Sequence, residues 1–364
     1  MKIKELTNHL EALAPLAYQE SYDNAGLIVG NPNTEITGVL VCLDSTEAVI
    51  DEAIAKGCNL VVAHHPIVFK GLKKLNGKNY VERTIIKAIK NDVAIYATHT
   101  NLDSVVGGVN FKIAQLLDLQ QVSVLSPKNQ CLMKLIVFVP IDNAQTVINA
   151  LHEAGAGMIG NYSHVSFRGE GIGAFRPNEL ANPSIGEANI DEKVHENRVE
   201  VIFPAYLKNQ VLGAMHRTHI YEEVAHDIIL LENQNNEVGS GAIGELSEVM
   251  PEKDFLQYLK QQMNISVIRH TNLLGKPIKR VAVCGGAGGF LLHDAIAQNA
   301  DIFITSDYKY HEFFDADNHL IIADIGHYES EQFTKELLKD YICKKMLNFA
   351  VRLSETNTNP VKYF

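Results

Sequence analysis

Histidines and carboxylates gather at the ends of three short apolar stretches. Residues 60–66 read Leu-Val-Val-Ala-His64-His65-Pro66. Residues 93–103 end in Thr-His99-Thr-Asn-Leu-Asp103, and residues 320–331 end in Gly-His327-Tyr-Glu-Ser-Glu331. Imidazole and carboxylate together suit Zn, Mn, Fe, Co or Ni and are too nitrogen-rich for Ca or Mg. Neighbouring strand residues point to opposite faces, so His64 and His65 serve two ions better than one; the alternative is two buried, hydrogen-bonded histidines. His327 and Glu331, at i and i+4, share one helix face. Asp103 reads as a ligand or as a turn residue. The expected set is therefore His64, His65, Asp103, His327 and Glu331, with His65 and Asp103 on one ion, His64 and His327 on the other, and Glu331 between them. Two such ions with open positions would do hydrolytic chemistry.

Other groups stand near the same stretches. His99, Asp307, Lys309 and His311 are candidates for contacts behind the ligands or to substrate, and Ser306 accompanies Asp307. Cys284-Gly-Gly-Ala-Gly-Gly-Phe290 is a glycine-rich turn. It either offers N–H groups to an anion or is a tight packing turn, and it lacks the Gly-Lys-Ser/Thr of a P-loop. Residues 20–30, polar and glycine-containing, read as a cleft wall.

Positioning these residues calls for strands that end at one sheet edge, where open α/β sheets place their sites. A gapless repeat supplies them. Residues 39–65 align with 281–307 at an offset of 242, matching Val39 with Val281, Cys42 with Cys284, and Ala53-Ile54-Ala55 with Ala295-Ile296-Ala297. Each copy reads strand–helix–strand, followed by a further strand at 93–98 or 319–325. The fold class is thus α/β with duplicated halves. Between the halves the pattern changes. A strand at 132–139, a helix at 143–154, a hairpin at 162–176, a loop at 177–197, a strand at 198–204, a helix at 206–217 and a strand at 223–231 suggest an inserted split βαβ module. The expected division is 1–128 with 240–364 as a discontinuous metal-binding core, and 129–239 as the insert.

The 364 residues carry 32 basic and 43 acidic side chains, a net charge of −11, which argues against nonspecific nucleic-acid binding. Five scattered cysteines with no Cys-x-x-Cys pair indicate neither a disulfide framework nor a zinc ribbon. The N-terminus lacks a secretory pattern and no apolar run approaches the roughly 20 residues of a membrane span. A cytoplasmic location is expected.

Taken together, Asp23-Asn24-Ala-Gly26-Leu, Ala-His64-His65-Pro66, Thr-His99-Thr-Asn-Leu-Asp103, Cys284-Gly-Gly, Tyr-Lys-Tyr-His311 and Gly-His327-Tyr-Glu-Ser-Glu331 resemble the GTP cyclohydrolase 1 type 2 homologue family, also called the Ngg-interacting-factor-three-like proteins. The resemblance spans nearly the whole chain. It implies a Nif-like α/β/α core, two divalent metal ions on the five residues named above, and toroidal homohexamers whose metal sites face an inner cavity. The middle segment, with Asn182-Pro183-Ser-Ile-Gly186-Glu187, looks like the ferredoxin-like (PII/CutA-like) insert of longer members. The implied activity is hydrolysis of a nucleotide-like or other small anionic substrate. The competing reading is a non-catalytic, metal-binding regulator whose insert senses a ligand.

Overall fold

The structure is a computed structural model and describes residues 1–345 and 350–364. The chain forms two compact units, Met1–Ser126 with Val238–Phe364, and Pro127–Glu237.

The first unit is α/β and is built on two sheets. In one, the strands run in the order Gly26–Val29, Ala94–Ala97, Leu60–His65, Val39–Asp44 and Val351–Leu353. The first pair is antiparallel and the other three pairings are parallel. In the other sheet the order is Arg269–His270, Ile321–Asp324, Ile302–Ser306, Ile278–Ala287, Asn235–Met250 and Gln120–Lys128. The central run repeats the first sheet in register. Val39 lies opposite Leu60 and Val281 opposite Ile302, the same offset of 242 at both positions. In each sheet a short antiparallel strand covers the third strand of the repeat.

These strands are continuous apolar runs because both faces are buried. Val39, Val41, Leu60, Val62, Val281, Val283, Ile302 and Ile304 join one core shared by the two sheets. The alternate residues Leu40, Cys42, Val61 and Ala63 pack into a separate cluster with Val49, Ile50 and Ala53 of the helix Glu47–Ala55. Ala282, Cys284, Phe303 and Ile322 do the same with Leu292 and Ala295 of the helix Leu292–Ala297. Side-chain alternation along a strand thus sorts each repeat between a common core and its own covering helix. Cys42, Cys58 and Cys284 are buried free thiols that serve as small core residues. No helix among the described residues is long and apolar enough to cross a membrane.

The second unit has the strands Leu132–Pro140, Phe167–Phe175, Glu192–Pro204 and His226–Leu231, with helices Ala144–Glu153 and Lys208–Thr218. Its sheet order is Phe167–Phe175, Glu192–Pro204, Leu132–Pro140, His226–Leu231, antiparallel throughout. One local expectation fails here. Residues 162–176 do not fold back on themselves: Phe167–Phe175 pairs with Glu192–Pro204, which begins inside the segment read as loop. The second unit ends at Glu237, within the long strand Asn235–Met250. Glycines in Gly-rich strands hide the apolar alternation that marks a strand.

Candidate metal centre

The ends of the repeat strands carry the candidate ligands into one cleft of about 1190 Å³ in the first unit. His64 and His65 close the strand Leu60–His65. Asp103 ends a single helical turn, Thr100–Asp103, directly after the third strand. There Asn110 Nδ2 donates to the Asp103 carbonyl at 2.9 Å while Asn110 Oδ1 accepts from Gly285 N–H at 2.9 Å, tying this turn to the glycine-rich one. His327 and Glu331 bound the short helix His327–Glu331. Its preceding Gly326 has φ +92° and would press a Cβ to 2.3 Å from Glu329 Oε2, so only glycine fits.

Glu331 stands at the centre. Its Oε2 lies 2.9 Å from His65 Nε2 and 3.2 Å from His327 Nε2, and its Oε1 lies 3.8 Å from His64 Nε2. His64 Nε2 is 3.7 Å from Asp103 Oδ1. His65 and His327 thus share Glu331 Oε2, while His64 lies near Asp103 Oδ1 and Glu331 Oε1. The two histidines do not diverge as strand alternation predicts: their ring centroids lie 4.8 Å apart and both face Glu331, so which neighbours they meet is set by the packing of the second repeat.

The donor set fits divalent metal. One atom each from His64, His65 and Glu331 lie within 4.8 Å of one another. His64 is fully buried, yet both its ring nitrogens lack a hydrogen-bond partner, as does the buried Asp103 Oδ1. Orphaned polar atoms of this kind are costly in a protein interior, and a cation between them removes the cost. Burial pushes His64 down to about 4, leaving a neutral imidazole with a free lone pair. Burial also works to lower His65 and His327, but carboxylates prevail. Asp44 and Glu331 lift His65 to about 10; Glu331 and Asp307 lift His327 to about 9. Burial and the Glu331 charge raise the Asp103 carboxyl well above its ordinary value. Glu331 itself is held well below the usual range, because the surrounding imidazoles outweigh its burial.

Behind the ligands stands a row of carboxylates. The Nδ1–H of His65 donates to Asp44 at 2.7 Å and that of His327 to Asp307 at 2.7 Å. His99 donates to Asp23 at 2.8 Å, and its ring lies 5.5 Å from both His64 and His65. Asp23 is also gripped by Thr100 N–H and Oγ–H, and these bonds outweigh burial to hold it at about 2. Each bond fixes one tautomer and turns Nε2 toward the cleft. Asp44 and Asp23 received no such role from sequence; Asp44 ends the first repeat strand and pairs with His65 in register, a signal available in the Leu-Asp44-Ser ending.

Other candidates fall elsewhere. Lys309 is exposed and pairs with Glu312 at 3.5 Å, and His311 stacks with Phe314. Neither is among the described residues lining the cleft, nor is the buried Ser306. Ser306 closes the strand Ile302–Ser306, and Lys309 and His311 lie past its end, just before and at the start of the short helix Glu312–Ala316. The glycine-rich turn is a packing turn. Gly285, Gly286 and Gly288 N–H groups donate to Asn110, Ser330 and Thr305. A Cβ at Gly286, where φ is +64°, would come within 2.6 Å of Glu331 Oε1. The turn's glycines make room for the central carboxylate.

The Duf34/NIF3 (NGG1p interacting factor 3) family model matches residues 1–360. The chain belongs to this family. A Bacillus subtilis (strain 168) relative named GTP cyclohydrolase 1 type 2 homolog is 39% identical over 370 residues, covering 99% of this chain and 98% of its own length. A Staphylococcus aureus (strain COL) relative of the same name is 36% identical over 368 residues, covering all of both chains. The crystal structure of a Bacillus cereus protein related to NIF3 superposes with a TM-score of 0.86 at 38% identity, covering 100% of this chain and 99% of that one.

Proposed function

We propose that the chain is a dinuclear metal-dependent hydrolase of a small, nucleotide-like substrate. The observation that carries this reading is the set of unsatisfied, buried donor atoms of His64 and Asp103, facing the same Glu331 that His65 and His327 share. His65 and His327 would hold one ion and His64 and Asp103 the other, with Glu331 between. Divalent ions in such a site supply Lewis acidity and a nucleophile active at neutral pH. The chain's own residues do the rest: Asp44 and Asp307 lock the ligand tautomers, and His99, held by Asp23, presents Nε2 to the cleft within reach of a proton on substrate. The relatives' name supports the hydrolytic reading.

Metal analysis and a turnover screen over GTP, other nucleotides and phosphodiesters test it. Two ions per chain and a loss of activity of at least 100-fold in His65→Ala are expected. A metal-loaded wild type as inactive as that variant across the panel would sink the proposal.

The alternative, a non-catalytic metal-binding regulator, draws on the "interacting factor" in the family's description and on the second unit, whose element succession and strand order suit a ferredoxin-like plan. Saturable metal binding with no turnover would favour it. We further propose a cytoplasmic homohexamer, on the family resemblance alone.

A further inference from the structure

Chemistry at the cleft wall narrows the substrate class, given the hydrolase reading above. Beside Asp44, Asp103, Asp307 and Glu331, the wall carries Glu20, Asp324 and Glu329. Among the described residues it has one guanidinium, Arg269, and no lysine. Arg269 is already engaged: it donates to the Tyr308 carbonyl, pairs with Asp324 at 3.1 Å and lies 5.1 Å over the Phe313 ring. Even two divalent ions leave this balance negative. The glycine turn, a candidate phosphate cradle by its sequence, has three of its N–H groups committed to Asn110, Ser330 and Thr305. Apart from the proposed ions, the described wall offers a polyphosphate chain no uncommitted guanidinium or ammonium group.

The same wall is rich in solvent-facing aromatic rings. Tyr22, Phe69, Tyr80, Phe290 and Tyr363 all line the cleft, with exposures between 52% and 69%. Phe69 sits edge-on to His99, ring centroids 5.6 Å apart, so the aromatic wall reaches the histidines beside the candidate ligands. Large exposed rings around a polar floor are stacking surfaces for a flat heterocycle. We infer that this cleft selects an aromatic heterocycle without a phosphate chain, a nucleoside or free base, and disfavours the corresponding nucleoside triphosphate.

Calorimetric titration of the metal-loaded protein with guanosine and adenosine against GTP and ATP tests this, with free metal buffered so that chelation strips nothing. Each nucleoside is expected to bind at least tenfold more tightly than its triphosphate. Raising salt from about 0.01 M to about 1 M, which shortens the screening length from about 30 to about 3 Å, should narrow the gap by weakening repulsion. Phe290→Ala and Tyr363→Ala should each weaken nucleoside binding about tenfold, the loss of one stacking partner. Tighter triphosphate binding, no nucleoside binding, or unchanged affinity in both variants would overturn the inference. The metal content of the same samples separates the two claims. A protein without two ions loses the hydrolase reading with the affinity order untouched; a reversed order at full loading defeats only the heterocycle assignment.

Discussion

At the scale of single residues, three of the site's four imidazoles, those of His65, His99 and His327, are each aimed by a carboxylate, while His64 has no hydrogen-bond partner. Asp44 fixes His65 through Nδ1, and Thr358 Oγ1 in turn donates to Asp44 Oδ2 at 2.5 Å. Removing the negative charge in Asp44→Asn keeps the shape but weakens the grip on the tautomer. Metal affinity should fall about 10- to 100-fold, read by competition with a chromogenic chelator; an unchanged Kd would remove Asp44 from the scheme. The pH dependence has a definite sign. In the metal-free protein His65 and His327 hold their protons up to about 10 and about 9. Metal must displace those protons, so affinity rises with pH through the neutral range and levels off above about 9 to 10. Calorimetry in buffers of different ionisation enthalpy should register net proton release near pH 7, and its absence would contradict this protonation scheme.

At the scale of elements, the C-terminal segment following the edge strand Val351–Leu353 is a structural strap. Glu52 on the helix Glu47–Ala55 accepts from Ser354 Oγ, Glu355 N–H, Thr356 N–H and Thr356 Oγ, and also pairs with Lys56 at 2.7 Å. Burial works to raise this carboxyl, but the hydrogen bonds prevail and hold it at about 2. A depressed carboxyl stabilises the fold fully above its unfolded value of about 4.3 and ceases to do so as pH falls through about 2. Glu52→Ala should cost about 2–3 kcal/mol at pH 7, measured by urea unfolding. The difference from wild type should shrink between about pH 4.3 and about pH 2; a pH-independent difference would assign the loss to packing alone.

At the scale of the whole molecule, the second unit is an insertion between neighbouring strands. Gln120–Lys128 and Asn235–Met250 lie side by side in the six-stranded sheet, so the chain leaves and re-enters the first unit at adjacent positions. Replacing Pro127–Glu237 with a short turn closes a small gap and leaves the first unit's core residues in place. The excised protein should unfold cooperatively and bind metal within about threefold of the full chain, within the scatter expected for independent sites. Failure to fold, seen by circular dichroism, would make the two units one cooperative body. The proposed homohexamer is checked by sedimentation velocity; a monomer at micromolar concentration would end it.

The repeat at an offset of 242 was legible in the sequence because buried parallel strands must be apolar on both faces and the helices between them must be amphipathic. The residue types gathered around Glu331 were legible too, because His64-His65 and His327-x-x-x-Glu331 stand at the ends of apolar strands. Local periodicity also marked a change of pattern between the repeats, though the glycine-rich strand Phe167–Phe175 reads as half of a hairpin within 162–176 and not as the partner of Glu192–Pro204. What lies within reach of what was decided in three dimensions. Nothing local to residues 60–66 or 320–331 says that His65 meets His327 while His64 meets Asp103. The closed glycine turn ties Gly285 to Asn110 across 175 positions, and Glu331 meets His65 across 266; contacts between residues so far apart leave no pattern along the chain.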